Sequence, residues 1–282
     1  MFETTELQLQ KEILDQHSKN NDVTDALAGW FEVRSSLNIM DLKAGIGANI
    51  RALAPILPLD QNWTLCVQNK NEMNIVVDYL TRWAPAFTEK NGEYFLERQG
   101  LKLGLKFHSL SSEAEQSSLS FESHNLIVMD GHLNHLTPQN IRKLVQKTAQ
   151  QNAAFLARLV FDGRIKFFPP QPPDNPFTAA YNRRLMKDIG FGLPAGHLAI
   201  EHLSEQFRLC GYTLIEGKSP LHLHEKDQSL MSALLKQLAQ SQREIAKGHD
   251  KMIDMWLARS RRHMEVGQND LLALPPDEKA VF

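Results

Sequence analysis

The chain has 282 residues, 42% of them hydrophobic, and 31 basic against 33 acidic side chains give a formal charge of -2. That length suits one large α/β domain, and the apolar fraction excludes a disordered chain. The near-neutral balance excludes a global field drawing in nucleic acid or a membrane surface.

Two cysteines, Cys66 and Cys210, lie in apolar runs and read as reduced core thiols of a cytoplasmic protein. The first twenty residues are too polar for a secretory leader, and no apolar run reaches about 18 residues, so no membrane span is expected.

The N-terminal segment 1–35 reads as helical: Asp22 can cap a helix with the stripe Val23, Ala26, Leu27, Trp30 and Phe31. The run Leu37 to Leu42 predicts a buried strand running into a glycine turn. Ile50, Leu53, Ala54 and Leu57 recur at helical spacing, and Pro55 should end or kink that helix. Trp63 to Gln68 predicts a second strand, Glu72 to Trp83 a helix, and Leu101 to Phe107 a third strand. Leu126 to Met129 is a fourth, ending at Asp130-Gly131. Thr137-Pro138 opens a helix with the stripe Ile141, Leu144 and Val145. Ala153 to Phe161 predicts a fifth strand.

Five prolines between Phe167 and Phe177 exclude helix and central strand there. Residues 162–192 therefore read as a long, stiff loop. Ile200, Leu203, Phe207 and Cys210 mark a helix closed by Gly211, and Tyr212 to Ile215 a sixth strand. His222 and His224 alternate along a strand and share a face, but two imidazoles are too few for a metal site. A helical insertion over 227–267 holds two helices, Asp227 to Lys247 and Asp250 to Val266. Arg259, Arg261, Arg262 and His263 read as a solvated face of the second. Asp270 to Leu274 closes the sheet. Strands alternating with helices over one domain, 1–282, predict a Rossmann-like, mostly parallel α/β sheet covered on both faces.

Ligands of such sheets sit at the carboxyl ends of the strands. The turn Asp41-Leu-Lys-Ala44-Gly45-Ile-Gly47-Ala-Asn49 lies at such an end, followed by Arg51-Ala-Leu-Ala-Pro55 and Trp63. Farther on come Phe161-Asp162-Gly-Arg164, Tyr181-Asn182-Arg183, Gly190-Phe191-Gly192 and the closing Asp270-Leu-Leu-Ala-Leu-Pro275. In this order, from about residue 23 onward, the chain resembles a bacterial group of class I S-adenosylmethionine-dependent methyltransferases.

The resemblance implies a seven-stranded sheet with an antiparallel last strand, and S-adenosylmethionine as cofactor over strands one to four. It implies cofactor contacts from Asp41, Ala44, Gly45, Gly47, Asn49, Gln68, Asn69, His108, Asp130 and Gly131. It implies methyl transfer to a small molecule, with Asp130 and His135 as candidate catalytic groups. Asp162, Arg164, Tyr181, Asn182, Arg183 and Arg184 are expected around the acceptor, the adjacent arginines suiting an anionic group. Three positions depart from the family pattern. Lys43 stands in place of a glycine, Gln68-Asn69 in place of an acid, and Phe107-His108-Ser109 where an aspartate is usual. A non-catalytic binding or assembly role on the same fold is the alternative these departures imply.

Overall fold

A computed structural model describes residues 5–110, 119–188, 190 and 192–276. One sheet organises the chain. Its strands are β1 (Ser36–Asp41), β2 (Asp60–Val67), β3 (Ala86–Lys90), β4 (Glu93–Arg98), β5 (Leu101–Ser109), β6 (Leu126–Met129), β7 (Ala154–Phe168), β8 (Thr213–Lys218), β9 (Leu221–His224) and β10 (His263–Leu274). Their order is β3-β4-β5-β2-β1-β6-β7-β10-β8, with β9 also paired to β10. Strands β5, β2, β1, β6 and β7 run parallel, and β10 is antiparallel to its three partners β7, β8 and β9.

Without the β3–β4 hairpin and β9, this is the seven-stranded Rossmann-like order of class I methyltransferases, its last strand wedged antiparallel between the fifth and sixth. The three additional strands go beyond the expected seven.

Alternation along the central strands splits the core. Ile39, Leu65 and Leu126 face helices α2 (Asn21–Phe31), α3 (Ala48–Leu53) and α4 (Lys70–Trp83). Met40, Cys66 and Ile127 face α5 (Pro138–Gln150) and α7 (Ala199–Leu209). Such two-sided burial explains the near-continuous apolar runs of β1 and β6. A third cluster packs β7, β9 and β10 against α6 (Asp174–Leu185), α8 (Gln228–Ile245) and α9 (Asp250–Leu257). Leu7 and Leu14 of α1 (Thr5–Ser18) join it. The helix after β1 ends at Leu53, and Pro55 enters a short 3-10 turn, as expected.

One hairpin was not expected, and three expectations are corrected. The hairpin β3–β4 turns through Asn91 and Gly92, both at positive φ, the pairing that a two-residue hairpin turn favours. Strand β7 continues to Phe168, so Asp162, Gly163 and Arg164 belong to the strand, not to a loop. Part of the remaining proline-rich stretch is helix α6. Pro176 occupies its first turn, where an amide hydrogen would lack a helical acceptor anyway. Finally α9 stops at Leu257, and His263 to Val266 are strand, with Met264 and Val266 buried and His263 and Glu265 on the other face. Arg261 is accordingly no solvated helical residue: it is buried and paired with Asp174 at 2.7 Å. Phe191 lies outside the described residues, while Gly190 and Gly192 both donate to Asp188 Oδ1.

Candidate active site

The carboxyl ends of β1, β2, β5 and β6 meet at one edge of the sheet. After β1, Asp41 is fully buried. Its Oδ1 accepts the Lys43 amide at 3.0 Å and its Oδ2 accepts Asn49 Nδ2 at 3.1 Å. Asn49 Oδ1 in turn accepts Arg158 Nη1 at 2.8 Å. The loop between turns through Gly45 and Gly47, whose φ values of 56° and 78° fall in the left-handed region. The Ala44 amide donates to the Cys66 carbonyl at 3.1 Å, latching this loop to β2.

Beyond β2, Asn69 caps α4 by accepting the Glu72 amide at 3.0 Å. The Glu72 carboxylate accepts the Gln68 amide at 2.6 Å and pairs with Lys43 Nζ at 2.9 Å. Beyond β6, Asp130 caps the 3-10 turn Gly131–His135, which sets the His132 and His135 rings 5.4 Å apart. Gly131 allows close approach: a Cβ there would lie 3.0 Å from the Leu159 carbonyl oxygen.

Between these ends opens a cleft of about 140 Å³. Leu42, Val67, Leu110, Phe121, Met129 and Leu144 make its apolar walls. Lys43, Gln68, His132, Asn140, Lys143 and Lys147 make its polar rim. Of the residues expected at a cofactor, Gln68 lines this cleft. Asp41, Ala44, Gly45, Gly47 and Asn49 build the loop beside it, and Asp130 and Gly131 the turn behind His132. His108 is exposed on β5, and neither glycine of the loop lines the cleft.

The residues expected around an acceptor lie apart from the cleft lining. Asp162 pairs with Arg164 on β7. Tyr181 is buried edge-on to Phe161 at 5.6 Å, and burial pushes its hydroxyl up to about 12. Asn182 donates to the Gly163 carbonyl at 2.9 Å, and Arg184 faces Glu244 of α8 at 3.8 Å. Arg183 is exposed.

Sequence reasoning passed over His132 as a lining residue and the α5 residues Asn140, Lys143 and Lys147. Helix α1 falls within the expected helical segment 1–35, but its approach to the loop was not foreseen: the Glu12 carboxylate accepts Arg51 Nε at 2.7 Å.

Burial dominates the electrostatics. It raises Asp41 to about 7, with the neighbouring Asp130 charge adding to the rise. Burial likewise raises Asp15 of α1. His132 and His135 are both held below the ordinary 6.5 by burial, so their imidazoles are neutral at pH 7. Arg158 supplies positive charge beneath Asp41 and Asp15.

A raised acid contributes stability that is lost as pH climbs through its folded value. Between pH 6.5 and 8 the native chain releases the Asp41 proton, whereas an unfolded aspartate near 3.8 has already lost it. Urea unfolding of wild type and Asp41→Asn at both pH values should therefore show wild type losing about 0.8 kcal/mol relative to the variant. The histidine contributions cancel in that difference. A pH-independent difference would mean that Asp41 stays ionised throughout.

No family model matches the sequence, and no curated protein is similar to it. Solved structures are similar in fold. YcgJ from Bacillus subtilis is 15% identical, with 91% of this chain and 100% of that one covered at a TM-score of 0.49. The cyclopropane synthase MmaA2 from Mycobacterium tuberculosis is 15% identical, covering 91% and 88% at 0.44. An S-adenosylmethionine-dependent methyltransferase from Geobacter sulfurreducens, crystallised with S-adenosyl-L-homocysteine, is 10% identical, covering 92% of each chain at 0.42. The fold assignment rests on this chain's own strand order.

Proposed function

We propose that the chain is an S-adenosylmethionine-dependent methyltransferase acting on a small molecule. The observation that supports it most is a cleft with apolar walls at the carboxyl ends of β1, β2, β5 and β6, in the strand order of class I methyltransferases.

The residues present fit the adenosine half of that cofactor. Phe121, Leu144, Val67 and Leu110 offer apolar faces to a flat heterocycle and exclude water from it. The Gln68 side-chain carbonyl at the rim, and the Glu72 carboxylate bonded to the Gln68 backbone amide beside it, can accept hydroxyl hydrogen bonds. S-adenosylmethionine, when bound, supplies an electrophilic methyl group on a sulfonium. The protein's own work is orientation, and removal of a proton where the acceptor carries one. His132 is the group for that removal, a neutral imidazole on the cleft wall beside Asp130.

The direct test is thermal unfolding with S-adenosylhomocysteine. Saturation at a hundred times its dissociation constant adds about 2.7 kcal/mol. No shift at millimolar ligand would refute cofactor binding.

Lys43 restrains that binding in two ways. Its ammonium occupies the Glu72 carboxylate, and it places positive charge near a sulfonium. Lys43→Gly should tighten S-adenosylmethionine binding about tenfold, roughly 1.4 kcal/mol, by calorimetry. Unchanged or weaker binding would mean that Lys43 instead holds Glu72 in its accepting position.

A further inference from the structure

Away from the cleft, β9 and β10 carry a square of four side chains on one face. Register pairs His224 with His263 and His222 with Glu265. Residues directly opposite, and residues two apart, share a face of a sheet, so all four point the same way. On the other face Leu221, Leu223, Met264 and Val266 are buried in the core, which fixes the backbone beneath the square.

His222 Nδ1 lies 3.2 Å from His263 Nε2. Two imidazole nitrogens on a tetrahedral Zn²⁺ ion, each about 2.0–2.1 Å from the metal, stand about 3.3–3.4 Å apart. Two of the three rings are therefore already at ligand spacing. The His224 ring stacks on His263 with centroids 4.6 Å apart and lies 6.5 Å from His222. Among the described residues no three ligating groups already converge on one point. Convergence here needs the His224 ring, exposed at the end of its strand, to turn about its side-chain bonds and give up the Asp227 amide that it accepts in a capping box. Glu265 is held by Lys166 at 2.7 Å, which leaves the fourth position to water.

We propose that His222, His224 and His263 form a surface site for a borderline divalent transition ion, with Zn²⁺ as its prototype. Three imidazole nitrogens and a water suit such an ion and discriminate against Mg²⁺ and Ca²⁺, which prefer oxygen ligands.

The test is calorimetric titration of the full chain with ZnCl₂ in a non-chelating buffer, with CoCl₂ absorption as a readout of tetrahedral geometry. One equivalent should bind, and His222→Ala and His263→Ala should each weaken it at least about tenfold. His202→Ala on α7 should leave it unchanged. Circular dichroism of each variant separates lost ligation from lost fold. No heat and no cobalt band at millimolar ion, or wild-type affinity in a folded His222→Ala or His263→Ala chain, would overturn the site.

Discussion

Asp174→Ala is expected to destabilise the chain by about 3–5 kcal/mol, the cost of stranding a buried charge. Asp174 opens α6 and is 5% exposed. Its Oδ1 accepts Trp256 Nε1 at 2.8 Å and Arg261 Nη2 at 2.7 Å, and its Oδ2 accepts the Gln171 amide at 2.6 Å. Arg261 is 4% exposed, its guanidinium 5.4 Å from the Phe167 ring centre and 5.6 Å from that of Trp256. Its Nε and Nη1 have no hydrogen-bond partner among the described residues, so Asp174 carries its compensation. Urea unfolding should read the loss, and adding Arg261→Met should recover part of it, because the double variant leaves no bare charge. A loss under about 1 kcal/mol would mean that water reaches Arg261.

Asn140→Trp is expected to abolish S-adenosylhomocysteine stabilisation, a loss of at least about a hundredfold in affinity, while leaving the unliganded melting temperature within a degree or so. Asn140 stands in the first turn of α5, half-buried on the cleft rim and outside the apolar core. An indole there crosses the opening without displacing Leu144 or Phe121. Full ligand stabilisation in the variant would move the binding site away from this cleft.

Local sequence patterns carried most of the central sheet. The run Leu126 to Met129 is β6, and Leu37 to Leu42 overlaps β1 but for a residue at each end. Strands buried on both faces are dense in apolar residues and need no partner to be visible. The hairpin β3–β4 is the opposite case, for Glu89, Lys90, Glu93 and Glu97 dilute its apolar signal. Only the Asn91-Gly92 pair betrays it.

Along β7, buried Phe161, Ile165 and Phe167 alternate with Asp162, Arg164 and Lys166, a period of two that the prolines beyond it obscured. The Asp41 loop was legible because its hydrogen bonds close within eight residues. The opposite wall of the cleft was not. Phe121 and Leu144 read equally well as ordinary core, and Lys143 and Lys147 as ordinary helix surface, until packing sets them against β2.

Strand β10 follows in sequence every strand it joins. During synthesis the facing edges of β7 and β8 therefore emerge from the ribosome long before the strand that fills the gap. Asp270 is the fastener of that late arrival. Its carboxylate accepts the Leu159 amide of β7 at 2.7 Å, the Ser219 hydroxyl between β8 and β9 at 2.9 Å, and the amide of Asn20, the α2 cap, at 3.0 Å. The last contact spans 250 residues. At translation speeds of about 5–20 residues per second, the nascent chain waits on the order of tens of seconds between making Asn20 and making its anchor. Completion of the sheet thus waits for β10 to emerge, and the open edges before it are the interval in which a chaperone would find something to hold.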